Sequence, residues 1–271
     1  MSASAGDPPA PSRLVHLIET DSTNAEAMRR ALAGAPTPLW VLADRQTAGR
    51  GRSGRAWASQ PGNLFASLLV STTCPPAFAA QLSLVAGVAV IDAIRKAAAP
   101  LVPPAGLRLK WPNDILIGSA KTGGVLIEST TRDSGIERLA VIGIGLNLAS
   151  APDDLGRAAT FLSAHGLSLS PQRALCFLAE AMDVWLRTWN DARGFAGARS
   201  AWLERAGAIG EPLSVHTSKG IASGRFAGID EEGALVIAGS DGRERRFTYG
   251  DVTLGEPADS TAAEQKKDEG R

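Results

Sequence analysis

A chain of 271 residues is long enough for one large or two modest domains with a buried core. Its 28 basic and 28 acidic residues cancel, without a long block of like charge. That argues against bulk nucleic-acid or membrane-surface binding through phosphate neutralisation. The two cysteines, Cys74 and Cys176, and the three histidines, His16, His165 and His216, are scattered, so disulfide, zinc and His-based metal sites lack their usual spacing.

The first twelve residues, MSASAGDPPAPS, lack a basic and then an apolar region and read as a disordered leader (residues 1–12) rather than a signal peptide. Thr20 to Ala33 predicts a helix ending at Gly34, with Thr23 and Glu26 at the spacing of a capping box. Leu39 to Ala43 and Leu64 to Ser71 are apolar runs of strand length, and Gln81 to Ala99 predicts a buried Ala- and Val-rich helix. Leu107 to Trp111 alternates, with Leu107, Leu109 and Trp111 on one face and Arg108 and Lys110 on the other. Gly123 to Glu128 and Leu139 to Leu148 are further strands. Ser170-Pro171 opens a long helix in which Leu175, Leu178, Met182, Trp185 and Trp189 recur at helical steps and pack in the core.

From Pro212 to Leu254 the chain breaks into short β-like runs separated by SKG, DEEG, GSDG and YGD. This punctuation predicts a small antiparallel barrel of about five strands. The fold class expected is α+β: a catalytic domain over residues 13–208, a small β-barrel over 209–255, and a charged, disordered tail over 256–271. No stretch approaches the roughly 18 apolar residues of a membrane span. A cytoplasmic protein without membrane attachment is expected.

Between the first two strands lies GRGRSGRAW, Gly49 to Trp57, whose opening satisfies G-x-G-x-x-G. A Rossmann loop leaves a strand directly and opens a helix that holds pyrophosphate. Here the polar spacer DRQTA precedes the first glycine, Pro61 and Gly62 break any following helix, and Leu69 to Cys74 contains no acid. A P-loop also fails, because no Gly-Lys-Ser/Thr closes the motif. The glycines instead give backbone freedom, and the arginines offer forked donors to an anion.

Three further stretches accompany this loop: DSTN at Asp21 to Asn24, KWPND at Lys110 to Asp114, and KTGGVLIE at Lys121 to Glu128, with GIGLN closing at Asn147. In this order and spacing the chain resembles the biotin protein ligases over roughly Ile18 to Leu254. The resemblance implies a class II aminoacyl-tRNA synthetase-like catalytic domain, a mixed sheet backed by helices, followed by a small C-terminal barrel. It implies biotin and ATP as substrates with Mg²⁺, and as partner the biotin carboxyl carrier domain of acetyl-CoA or a related carboxylase. Some members add an N-terminal DNA-binding domain. Only about 17 residues precede Ile18, so a monofunctional ligase that does not bind DNA is expected. A homodimer is compatible with the sequence. Two departures stand out: Thr122-Gly123-Gly124 replaces an apolar-Ala-Gly run, and Ser53 stands where a basic residue is common.

The resemblance also distributes roles. Lys121, Arg52, Lys110 and Asp114 are the implied catalytic residues, with Lys121 bridging the biotin carboxylate and the α-phosphate. Ser22, Thr23, Asn24, Gln46, Gly49, Arg50, Gly51, Arg52, Lys121 and Gly124 are implied for biotin, and Arg52, Trp57, Lys110, Asn113, Lys121 and Asn147 for ATP. Asn113 and Asp114 are the candidate Mg²⁺ residues, although Pro-Asn-Asp is equally good turn chemistry. Arg45 and Arg55 read as solvated. Alternatives are a lipoate or octanoate transferase of the same fold, which needs a long apolar tunnel, and a non-catalytic arginine-loop binding module, which the neutral charge disfavours.

Overall fold

The computed structural model describes residues 7–75, 78–132, 137–152 and 158–255. Of these, the residues through Ala206 together with Glu231–Gly233 form one compact unit, and the rest form a second. Residues 1–6 and 256–271, in the expected leader and tail, lie outside the described residues. Asp7, also in the expected leader, is tied down: its carboxylate accepts from Arg173 Nε at 2.8 Å and Nη2 at 2.9 Å.

The first unit is built on a seven-stranded sheet of order β1-β2-β3-β7-β6-β5-β4. Its strands are β1 (Leu14–Thr20), β2 (Leu39–Gln46), β3 (Leu64–Thr72), β4 (Leu107–Lys110), β5 (Asp114–Ile117), β6 (Ala120–Arg132) and β7 (Glu137–Leu146). Only β1 and β2 pair in parallel, so the sheet is mixed. Helices α1 (Thr23–Leu32), α2 (Ala79–Ala98), α3 (Pro171–Trp189) and α4 (Phe195–Arg205) complete the unit.

Directly opposed residues on antiparallel strands share a face. The register Ser67↔Gly143, Phe65↔Gly145, Gly145↔Gly124, Gly124↔Asp114 and Asp114↔Lys110 therefore lines up one face across β3, β7, β6, β5 and β4. Helix α1 covers the far end of that face, with Ala27 and Ala31 packed on Val41, Leu69, Leu139 and Val141. Leu64 and Leu146 point to the opposite face, where Val90, Ile94, Phe177 and Leu178 of α2 and α3 surround them. Each large aliphatic chain buried in this way stabilises by about 1.5–3 kcal/mol. The core lies behind the sheet, and one end of the front face is left for chemistry.

Three elements were not anticipated. Strand β1 is an edge with Leu14, His16, Ile18 and Glu19 exposed, β5 is four residues long and begins at the last residue of KWPND, and α4 is short, burying only Phe195, Ala198, Ala201 and Trp202. The expected capping box at Thr23 and Glu26 is also corrected. Ser22 is the N-cap and makes no side-chain cap hydrogen bond, while Glu26 turns to Arg29 and Arg30.

The second unit is a five-stranded antiparallel sheet of order β11-β10-β9-β8-β12. Its strands are β8 (Pro212–Thr217), β9 (Gly220–Ile229), β10 (Leu235–Ala238), β11 (Glu244–Phe247) and β12 (Asp251–Leu254). Leu213, Val215, Phe226, Ile229, Leu235, Ile237 and Val252 are buried. The GSDG and YGD turns place Gly242 at φ 74° and Gly250 at φ 140°, where a side chain is strained. Among the described residues no helix is long and apolar enough to cross a membrane.

Candidate active site

The residues around the start of α1 give their polar groups to one another instead of to the helix end. Ser22, Thr23 and Asn24 are all buried. The Thr23 backbone N–H and hydroxyl donate to Gln46 Oε1 at 2.8 and 3.1 Å. Ser67 Oγ donates to Asn24 Oδ1 at 2.6 Å and lies 2.8 Å from Thr23 Oγ1. Asn24 Nδ2 donates to Glu128 Oε2 at 2.8 Å and to the Leu126 carbonyl at 3.3 Å. A polar pocket lining results, assembled from α1, β2, β3 and β6.

The glycine–arginine loop folds back on itself. Trp57 N–H donates to the Gly49 carbonyl at 2.9 Å and Gly51 N–H to the Arg55 carbonyl at 2.7 Å, around a 3₁₀ turn at Arg52–Gly54. A Cβ at Gly49 would sit 2.6 Å from the Trp57 carbonyl oxygen, so this closure needs glycine there. Arg50 Nη2 reaches Glu128 Oε2 at 3.0 Å, and Arg52 Nη1 reaches Asn113 Oδ1 at 3.2 Å. Arg45 pairs with Glu19 at the surface, and Arg55 Nε donates to the Arg52 carbonyl at 3.2 Å.

Across the sheet, Asp114 sits between two lysines. Lys110 Nζ lies 3.0 Å from Asp114 Oδ2, and Lys121 Nζ is hydrogen-bonded to Asp114 Oδ1. Asp114 is 7% exposed and Lys121 9%. Burial by itself would raise the Asp114 carboxyl, but the charges of Lys121 and Lys110 outweigh it and hold the group below the usual carboxylate range. Two ammonium groups and one carboxylate leave the cluster one positive charge, with Arg52 close by on Asn113. Such a site attracts anions.

Bare backbone forms the floor. A Cβ on Gly145 would lie 2.5 Å from the Trp57 indole, and one on Gly124 would lie 3.1 Å from Lys121 Nζ and 3.3 Å from the indole. Gly143 leaves the space that Asn24 occupies. Trp57 is thus seated on two cross-strand glycines with Lys121 Nζ 5.5 Å from its ring centroid, in cation–π range. Its indole Nε1 is buried without a hydrogen-bond partner.

The structure therefore gathers Ser22, Thr23, Asn24, Gln46, Gly49, Arg50, Gly51, Arg52, Trp57, Lys110, Asn113, Asp114, Lys121 and Gly124 around one face of the sheet. Asn147 flanks this group, held by its side-chain amide to the Thr160 carbonyl at 3.0 Å and by its backbone N–H to Thr122. Sequence reasoning missed Ser67, Glu128 and Asn63. Asn63 Oδ1 accepts backbone N–H groups from Leu148, Ala149 and Ser150 and fixes the turn after Asn147. These roles arise from partners many residues away, and no local pattern announces them.

Asn113 and Asp114 do not fit a resident Mg²⁺. Both Asp114 oxygens face ammonium groups, Asn113 Oδ1 accepts from Arg52, and among the described residues no group of three or more His, Cys, Asp or Glu gathers around a metal position.

Comparison with known proteins places the chain in a family. Residues 17–147 match the Biotin/lipoate A/B protein ligase family and residues 208–255 the Biotin protein ligase C terminal domain. The first description covers biotin and lipoate enzymes alike, so it defines a class; the relatives narrow it. A biotin--[acetyl-CoA-carboxylase] ligase of Paracoccus denitrificans is 42% identical over 234 residues, 84% of this chain and 95% of that protein. One of Mycobacterium tuberculosis is 34% identical over 243 residues, 87% and 86% of the two chains. Among solved structures, the Aquifex aeolicus biotin protein ligase in complex with biotin and ATP superposes with a TM-score of 0.74 at 27% identity, covering 91% of this chain and 100% of that one. The chain belongs to the biotin protein ligase family.

Proposed function

We propose that this protein joins biotin to AMP as biotinyl-5′-AMP and transfers the biotinyl group to a lysine of a carboxylase carrier domain. In the first step a biotin carboxylate oxygen forms a bond to the α-phosphorus of ATP, and the bond from that phosphorus to pyrophosphate breaks. In the second the carrier lysine nitrogen bonds to the acyl carbon, AMP leaves with the former carboxylate oxygen, and the amine loses a proton. The observation that carries the reading is the Lys110–Asp114–Lys121 cluster on a glycine floor beside a polar pocket. The first step brings two anions together, and only fixed positive charge out of water offsets that repulsion well.

In this reading Lys121 moves between Asp114 and the reacting oxygens, while Lys110 keeps Asp114 neutralised. Arg52, ordered by Asn113, binds phosphate oxygens. Ser22, Thr23, Asn24 and Gln46 face the ureido end of biotin, Gly49 to Gly51 offer backbone groups, and Trp57 walls off the acyl chain above Gly124. Asn147 lies toward the nucleotide. Mg²⁺ arrives on the nucleotide phosphates, as part of the substrate. The shared acyl-adenylate chemistry supports a class II synthetase-like first unit, and the turn pattern supports closure of the second sheet into a barrel. The carrier is an acetyl-CoA carboxylase domain, after the named substrate of the Paracoccus relative. The lipoate alternative is disfavoured, because the relatives compared are biotin enzymes.

Biotin-dependent exchange of labelled pyrophosphate into ATP tests this reading. Exchange with biotin and not with lipoate is expected; exchange with lipoate alone, or with neither, overturns it.

A further inference from the structure

One carboxylate lies between the two halves of the site and has no role in the scheme above. Glu128 projects from β6, and its Oε2 accepts from Asn24 Nδ2 at 2.8 Å and from Arg50 Nη2 at 3.0 Å. Asn24 is buried and belongs to the pocket, whereas Arg50 belongs to the loop. The two donors come from segments 104 and 78 residues away in sequence and meet on one oxygen.

The contact with Asn24 carries information as well as attraction. An amide can be turned either way round, but a carboxylate and a carbonyl only accept. With Glu128 and the Leu126 carbonyl on one side, Asn24 must turn its NH₂ toward them and its oxygen toward Ser67. The contact with Arg50 fixes the loop. Arg50 is bridged to Ala56, and Arg52 and Trp57 lie within the same closed turn. Holding Arg50 to β6 thus holds the turn over the glycine floor.

We propose that Glu128 is a positioning residue for ligand capture, whose carboxylate sets the loop position and the orientation of Asn24 together. The capture role rests on the ligase reading; the anchoring of the loop does not. The ion pair is half exposed, with side chains 48% and 29% accessible, so its effect is modest. Pairs of this kind shift an equilibrium by up to about fivefold.

The test uses the full chain carrying Glu128→Gln, which keeps the shape and removes the charge. Without any ligand, trypsin is expected to cut after Arg52 about three- to fivefold faster than in wild type. In pyrophosphate exchange the biotin KM rises about fivefold while kcat stays within twofold, a split that a general loss of structure does not produce. Arg50→Met breaks the same tie from the loop side without touching Asn24 and should accelerate cleavage equally, so the test survives a fold defect at position 128. Combining the two substitutions should add nothing further to the cleavage rate. Equal cleavage of Glu128→Gln and wild type, additive effects in the double variant, or a fall in kcat at unchanged KM each overturn the proposal. A wild-type protein that shows no biotin-dependent exchange refutes the ligase reading, and the ligand-free cleavage rates still decide the anchor.

Discussion

Lys121 is held in place by Asp114, the group it would leave for substrate under the proposed mechanism. Its partner Asp114 also has Lys110, so removing Lys121 halves the positive charge beside a buried carboxylate. Lys121→Ala should lower pyrophosphate exchange by about 10²–10³-fold, the scale of a lost electrostatic stabiliser. An exchange rate within a few-fold of wild type would remove Lys121 from the mechanism. Asp114 makes a separate prediction. Its carboxyl titrates lower when folded than the unfolded value of about 3.9. The stability it contributes is therefore complete above the unfolded value and is lost as pH falls through the folded one. Asp114→Asn removes the negative charge between two lysines and should cost about 3–5 kcal/mol at neutral pH. As pH falls below the unfolded value of about 3.9, its urea midpoint should fall less than that of wild type; an equal fall would show that Asp114 is not a source of the acid sensitivity.

At this scale the sequence was informative where chemistry is clustered in short runs. DSTN, the arginine loop, KWPND and Lys121 all fall on one face of the sheet. Ser67, Glu128 and Asn63 were illegible, because a lone serine or glutamate on a strand acquires meaning only from its register, and a turn asparagine such as Asn63 only from the distant backbone it holds. Thr23 was read as a cap because its spacing to Glu26 is right, yet its hydroxyl goes to Gln46.

The strands decide where the ligand can lie. Gly145 faces the Trp57 indole, so Gly145→Ala should push the tryptophan off its seat while giving β7 a residue better suited to a strand. The expected result is a thermal midpoint at or above wild type together with weaker biotin binding by calorimetry. Unchanged affinity would mean that Trp57 does not wall the pocket. The loop carries a second prediction. If Arg52 retains the adenylate, Arg52→Gly should still form biotinyl-AMP but release it faster, since a charge-assisted contact is gone. Escaped anhydride acylates exposed amines, so albumin added as bystander should become biotinylated. Adenylate formed at the wild-type rate without bystander labelling contradicts a retaining role, and no adenylate at all places Arg52 in the first step.

Elements were legible in proportion to their hydrophobic pattern. The central strands and the two long helices stand out, with ends displaced by one to several residues. Strand β6 runs well beyond the expected Glu128, to Arg132, because its far half, Ser129 to Arg132, is entirely polar and offers no apolar run to mark it. Helix α4 escaped notice because it is short and its buried face is made of only Phe195, Ala198, Ala201 and Trp202, two of them alanines, while Arg205 adds an ion pair to Asp92 at 2.9 Å.

For the whole molecule, two units were anticipated from the change in character near Gly210, and the described residues divide after Ala206. What composition did not reveal is that Glu231–Gly233 groups with the first unit, since a turn sequence says nothing about its neighbours. The chain also holds its thiols back: burial pushes both Cys74 and Cys176 up from the ordinary thiol range. A thiol reagent at pH 7.5 should therefore label neither rapidly until the protein is denatured, after which both react. Fast labelling of the folded chain would show that one thiol is open to solvent.

The pocket lining joins α1, β2, β3, β6 and the loop, and almost none of its partners are neighbours in sequence. Gln46 meets Thr23, Ser67 meets Asn24, and Glu128 meets both Asn24 and Arg50. A chain still emerging from synthesis, or one with a slipped strand, cannot assemble half of this arrangement. For an enzyme that makes a reactive anhydride, this is an interlock. Premature or damaged copies are therefore expected to fail at binding, before they can activate anything, whereas a whole molecule whose loop alone has been loosened should be the one that acylates stray amines.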